Sequence, residues 1–205
     1  MFDPLIIGII ALTGIISFRA FNDPELRYKL IFYPYKIFNE KKEQYRFLTS
    51  GFIHADNQHL FFNMLTLFFF GPLVLYYFKE LRIDMPEVKF LILYVACIIF
   101  SSAGSFSKHK NDPNYMALGA SGGVSGVVFS AILINPWLQI NFIIPGFLYG
   151  IGYLWYSARM AKLGRDNIGH DAHIHGALIG IAITLAYKPS LALGFFDKIL
   201  NPPFF

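Results

Sequence analysis

Six stretches of this chain are apolar for about the length a helix needs to cross a bilayer, and that pattern limits the fold more than any other feature. They cover about residues 4–21, 60–78, 90–107, 117–134, 138–156 and 173–187. Inside hydrocarbon every backbone polar group must be satisfied within the segment, so such stretches become helices. The composition agrees: 55% of the residues are hydrophobic and mean hydropathy is +0.48, above the usual range for a soluble domain. The expectation is an all-α integral membrane protein, one domain over residues 1–205, without internal repeats. The first stretch, Pro4 to Phe18, has no basic region ahead of it and no small-residue cleavage site, so it is expected to stay as a helix. The single cysteine, Cys97, permits no internal disulfide. A net charge of +4 suits an anionic lipid surface. No arginine-rich recognition helix or aromatic platform is present, so nucleic acid is not an expected partner.

The link from Arg19 to Asn57 mixes Tyr and Phe with Lys and Arg, as in Tyr28-Lys29-Leu30-Ile31-Phe32-Tyr33. That mixture favours the membrane–water interface, and short interfacial helices are expected there. Pro72 is expected to kink the second span or mark its approaching end. The third span, with Cys97 and Ser101/Ser102 as its polar features, reads as scaffold. The fifth holds Pro145, Gly146, Gly150 and Gly152 and reads as a weakly held helix. A polar loop, Ser157 to Asp171 with Arg159, Lys162 and Arg165, is expected to follow it.

The fourth stretch opens with Gly119-Ala120-Ser121-Gly122-Gly123-Val124-Ser125-Gly126 and ends at Asn135-Pro136. Ser121 to Ile134 is roughly 21 Å of helix, against a hydrocarbon core of about 30 Å. Ser121 is therefore expected on the order of 9 Å below one surface, where irregular backbone is tolerated only if protein or a water-filled cavity shields it. The sixth stretch opens with His170-Asp171-Ala172-His173-Ile174-His175-Gly176. Gly176/Gly180 form a small-residue face, as do Gly119/Gly123 and Gly122/Gly126, and such faces let helices approach closely. The antiparallel fifth span alone separates the fourth helix from the sixth, so these two run parallel with their amino ends on one side. That juxtaposes Ser121 and His173.

Serine needs a base within hydrogen-bond reach to become a nucleophile, and histidine is the usual one. His173 is the candidate. Acyl transfer also needs donors aimed at the developing oxyanion. Asn63 offers an amide, His59 lies one turn away on the same face, and the Ser121 N–H has no partner in its own helix. Asp171 is too near His173 in sequence to orient it, so a Ser–His dyad is expected. Each residue also has a plainer reading. A membrane serine can back-bond to its own helix, Asn63 can be helix–helix glue, and His54 and His175 read as loop or packing residues.

In combination these residues resemble the rhomboid family of intramembrane serine proteases. The resemblance rests on His54-x4-His59-x3-Asn63 with Leu60 and Phe61-Phe62, on Gly119-Ala120-Ser121-Gly122, and on Ala172-His173-x-x-Gly176 with Gly180. Tyr45-Arg46 resembles the family's aromatic–arginine pair in the first loop, with Tyr in place of Trp. The match runs over about residues 45–185. It implies a six-transmembrane-helix rhomboid-like bundle with a buried, water-filled site. Ser121 would be the nucleophile, His173 the general base, and Asn63, His59 and the Ser121 amide the oxyanion donors. No metal or cofactor is implied. The expected partners are single-pass transmembrane protein substrates and the lipid bilayer, the expected location a bacterial inner or plasma membrane; oligomeric state is left open. Two other readings are an inactive rhomboid-like binder of membrane clients and a metal transporter using the histidines. About 12 Lys and Arg fall in the links after spans one, three and five and about 5 elsewhere, which by the positive-inside rule puts the amino terminus outside. The resemblance implies the opposite orientation, and it is the one followed.

Overall fold

A computed structural model describes residues 3–140, 143–163 and 169–202. Helix α1 covers Pro4–Asn22 and starts where the Asp3 carboxylate accepts the Leu5 amide at 3.0 Å, ahead of a proline suited to the first helical position. Asp23 repeats the device, accepting from Leu26 at 2.9 Å, and opens α2, Pro24–Leu30. Helices α3, Pro34–Asn39, and α4, Arg46–Thr49, follow with short 3₁₀ turns on both sides of α4. The first link is therefore a series of short helices, with Tyr28, Tyr35, Phe38 and Tyr45 exposed on its surface. Arg46, 1% exposed, holds it together. Its Nε donates to Glu43 at 2.5 Å and one terminal nitrogen donates to the carbonyls of Tyr28 and Ile31, at 2.6 and 2.9 Å. This hydrogen bond holds the Glu43 carboxyl below the usual carboxylate range.

Helix α5 spans Asn57–Glu80 with Asp56 as its cap, bonded to the His59 amide at 2.7 Å. It runs two turns beyond Pro72 and ends two residues past the expected 78, because membrane helices tolerate proline where neighbours re-satisfy the backbone. The adjoining Gly71 lets Ile6 of α1 come close: its side chain lies 2.8 Å from where a β-carbon would sit. Helix α6, Pro86–Ser101, passes at Ser102 into α7, Ala103–His109. Helix α8, Ser121–Ile134, is the central element, every residue after Ser121 being buried. It begins four residues later than the apolar pattern suggested, since Gly119 has a φ of +121° that ends any helix there.

The expected start of the fifth span at 138 is also corrected. Gln139–Ile140 (β1) pairs antiparallel with Ile144–Pro145 (β2), and α9 covers Gly146–Leu163. The expected polar loop starts later than Ser157. Residues 158–163 include Ala, Arg, Met and Lys, good helix formers, and they extend α9; Arg165 lies outside the described residues. Helix α10, His170–Tyr187, is followed after a sharp bend by α11, Leu191–Leu200.

The six apolar stretches thus all contain helix. Among the described residues three helices are long and apolar enough to cross a membrane alone, Pro4–Asn22, Asn57–Glu80 and Pro86–His109 counted through its break, or four if α10 and α11 form one broken span. Their outward faces carry exposed Leu, Ile and Phe, as on α1 (Leu12, Ile15, Phe18) and α5 (Phe61, Phe62, Phe69). Small and polar residues such as Thr13, Ser17, Ser130 and Thr184 are wholly buried inside. Apolar surface outside and small polar groups within is the pattern of a helical bundle solvated by lipid.

Candidate active site

Helices α8 and α10 meet backbone to backbone. A β-carbon on Gly176 would meet the Gly122 backbone, its carbonyl carbon at 2.8 Å and α-carbon at 2.9 Å, and one on Gly180 would meet the same atoms of Gly126. One turn further, the Thr184 hydroxyl donates to Ser130 Oγ at 2.8 Å. The contacts advance in step along both helices, so α8 and α10 run parallel, as the order of the spans required, and close together, as their glycines required. The face Gly119/Gly123 has a different use. A β-carbon on Gly123 would meet Ile98 and Tyr94 of α6, and one on Gly119 would meet the His59 ring at 2.6 Å. Gly119 leaves the α10 contact because it lies in the loop before α8.

That loop is fixed on several sides. Phe32 and Ala117 exchange both backbone hydrogen bonds at 3.0 Å, and the Gly119 amide donates to the Ser50 carbonyl at 2.9 Å. The Ala120 amide donates to His54 Nε2 at 3.3 Å. Ser121 is then the first residue of α8, where the N–H groups have no intrahelical partner and the helix dipole is positive.

Ser121 opens onto a cavity of about 1010 Å³ that is also lined by His59, Asn63, Ser125, Tyr153 and His173. All four residues singled out in the sequence therefore face one space. One N–H of the Asn63 amide is bonded to the His59 carbonyl at 2.9 Å, and the group has a second to offer. The His173 ring lies over Tyr153, 5.9 Å between centroids at 25°, and meets His170 edge-on. Ser125, one turn further in, is buried and shares a 2.8 Å hydrogen bond with the Tyr153 hydroxyl. Ser121 and Ser125 thus differ: the first sits at the open amino end of α8, the second is tied to a neighbouring helix. His175 turns away, its Nδ1 at 2.6 Å from the Asp171 carbonyl and its ring against Gly104, so it is a packing residue. The Asp171 carboxylate faces Lys108 at 3.7 Å.

A family model for the Rhomboid domain matches residues 41–190, well over half of the chain. The chain belongs to the rhomboid family. It is similar to the RHOMBOID-like protein 12, mitochondrial, of Arabidopsis thaliana, 27% identical in an alignment of 144 residues that covers 64% of this chain and 43% of that protein. It is also similar to the putative rhomboid protease YdcA of Bacillus subtilis (strain 168), 29% identical over 142 residues, 69% of this chain and 66% of that one. The chain spans less than two thirds of the length of either relative.

Three features of this rhomboid's site escaped the sequence reading. Tyr153 packs on His173, but one aromatic among many carries no mark. The third span, read as scaffold, lines the cavity with Ser101, Ser102 and Ser105. His54, read as a loop or packing residue, is 1% exposed and bonded through both ring nitrogens. Its own motif pointed to it, yet nothing in the spacing said what it holds.

Proposed function

We propose that this rhomboid is an intramembrane serine endopeptidase that cleaves a peptide bond in or near a transmembrane segment of a membrane protein. Ser121 is the nucleophile and His173 the general base; His59, Asn63 and the Ser121 amide stabilise the oxyanion. His173 takes the Ser121 hydroxyl proton as Oγ attacks the scissile carbonyl. The tetrahedral oxyanion is met by donors that need no reorganisation. His173 then protonates the leaving amine, and water, activated by the same imidazole, hydrolyses the acyl-enzyme. Tyr153 under the ring keeps the imidazole from swinging, a role an acidic third member plays elsewhere. The single observation that carries this reading is the shared cavity, with a serine at an unsatisfied helix amino end and a histidine one turn from the glycine contact beside it. We place the enzyme in a bacterial plasma membrane, acting on single-pass substrates.

The test is labelling with a fluorophosphonate probe and mapping of the modified residue, alongside cleavage of a membrane substrate. Ser121 carries the label, Ser121→Ala abolishes cleavage, and Ser125→Ala retains much of it. Label on Ser125, or cleavage by the Ser121→Ala protein, overturns the assignment.

A further inference from the structure

His54 takes no part in the reaction just described, yet both its ring nitrogens are engaged. Nε2 receives the Ala120 amide at 3.3 Å. A backbone N–H can only donate, so Nε2 is the unprotonated nitrogen and the neutral ring carries its proton on Nδ1. Nδ1 lies 3.0 Å from Ser17 Oγ on α1. The Ser17 hydroxyl has one proton, which it gives to the Phe52 carbonyl at 2.9 Å, so its oxygen must accept from Nδ1–H. Each direction follows from the one before. Ala120 N–H donates to His54 Nε2, His54 Nδ1–H donates to Ser17, and Ser17 O–H donates to Phe52. Ser17 and Ala120 are 0% exposed and His54 is 1% exposed, so water does not compete for the two bonds of the His54 ring.

We propose that Ser17 is a positioning residue for the nucleophile: by accepting from Nδ1 it fixes His54 in the tautomer that can receive the Ala120 amide, and so holds the backbone just before Ser121. This rests on the reading of Ser121 as nucleophile. Without the Ser17 oxygen, the Nδ1–H is buried with no acceptor, a costly state. Moving the proton to Nε2 relieves it but sets two donors face to face at Ala120. The amide then shifts, and Ser121 with it. A displacement near 1 Å is enough to cost about a hundredfold in rate.

The test compares Ser17→Thr, which keeps a hydroxyl, with Ser17→Val, which has the same shape without one. The full chain is purified in micelles. The readouts are the rate of fluorophosphonate labelling of Ser121, kcat and KM on a membrane substrate, thermal stability, and the ¹⁵N shifts of the His54 ring. Wild type and Ser17→Thr label alike and show the Nδ1–H tautomer. Ser17→Val labels about tenfold or more slowly, with KM little changed and the His54 proton on Nε2. Equal labelling of Thr and Val variants overturns the inference while leaving Ser121 as nucleophile. An unlabelled wild type overturns both. If Ser17→Val does not fold, the wild-type ¹⁵N spectrum decides alone, since a proton on Nε2 rules the arrangement out.

Discussion

Burial drives the His54 imidazole down to a pKa of about 3 from the ordinary 6.5; the neighbouring His59 lowers it further and Asp56 opposes. An unfolded His54 takes up a proton near 6.5, whereas the folded one refuses it until about 3. Between those limits the unfolded chain binds more protons, so stability falls as pH drops from about 6.5 to about 3, by at most roughly 5 kcal/mol. Glu43 acts in the same direction only lower down, below the ordinary carboxylate range, because Arg46 lowers its pKa. The midpoint of thermal unfolding in micelles is expected to fall steeply across the His54 window in wild type and more gently in His54→Gln. Parallel curves for the two proteins would show that His54 does not set the acid sensitivity. At this scale the sequence marked Ser121, Asn63, His59 and His173 because polar groups stand out against apolar runs. Tyr153 was hidden by its company of 23 Phe and 12 Tyr. The partner of His54 was hidden by distance along the chain, as nothing local links Ser17 to the residue before Ser121.

At the scale of elements, the α8–α10 contact makes a sharp contrast between glycines. Gly176→Ala drives a methyl into the Gly122 backbone, which cannot rotate aside, and should cost about 1–3 kcal/mol or more together with most of the activity. A β-carbon on Gly152 of α9 meets nothing within 4 Å, so Gly152→Ala should be neutral or stabilise by up to about 1 kcal/mol through helix propensity. Unfolding in micelles and probe labelling of both variants check the pair; equal effects would mean the contact is not tight. Helix α9 also flanks the cavity opposite α5, with Tyr149 and Tyr153 on one side and Phe62 and Thr66 on the other. A substrate helix entering from lipid is expected to pass between them. Trp155 is 65% exposed beside Arg159 and does not line the cavity, so the inward tyrosines are the residues to probe. A bifunctional thiol linker joining Thr66→Cys to Tyr149→Cys should stop cleavage of a membrane substrate while Ser121 still labels with a small probe. The native thiol, Cys97, is buried and does not interfere. Normal cleavage by the linked protein puts entry elsewhere. The glycine faces of α8 and α10 were readable because a four-residue repeat survives in the sequence; the start of α8 was marked by Ser121 in its glycine frame and not by the apolar run from 117, because the backbone turn at Gly119 interrupts that run without altering its hydropathy.

At the scale of the whole molecule, α8 spans 14 residues, about 21 Å, and cannot reach across a bilayer core of about 30 Å. Its serine end is therefore expected below the surface, and it opens to the polar cavity. In the proposed reaction, a substrate helix arriving there still hides each carbonyl in its own hydrogen bonds, so it must unwind first. Gly or Pro downstream of the cut weakens that helix, and replacing them by Leu should slow cleavage about tenfold, or about 1.4 kcal/mol of barrier. An all-Leu substrate cut at the same rate would remove unwinding from the mechanism. The number of spans was harder to read than their positions, because hydropathy counts apolar residues and ignores where a short helix stops. The parallel α8–α10 contact has a consequence for the chain as it is made. The proposed nucleophile emerges 52 residues ahead of its base, with α9 in between. At about 5–20 residues per second, the serine waits roughly 3–10 seconds in the membrane before α10 arrives to activate it. On the proposed mechanism, the chain gains its proteolytic capacity during synthesis only once α10 has been inserted beside α8.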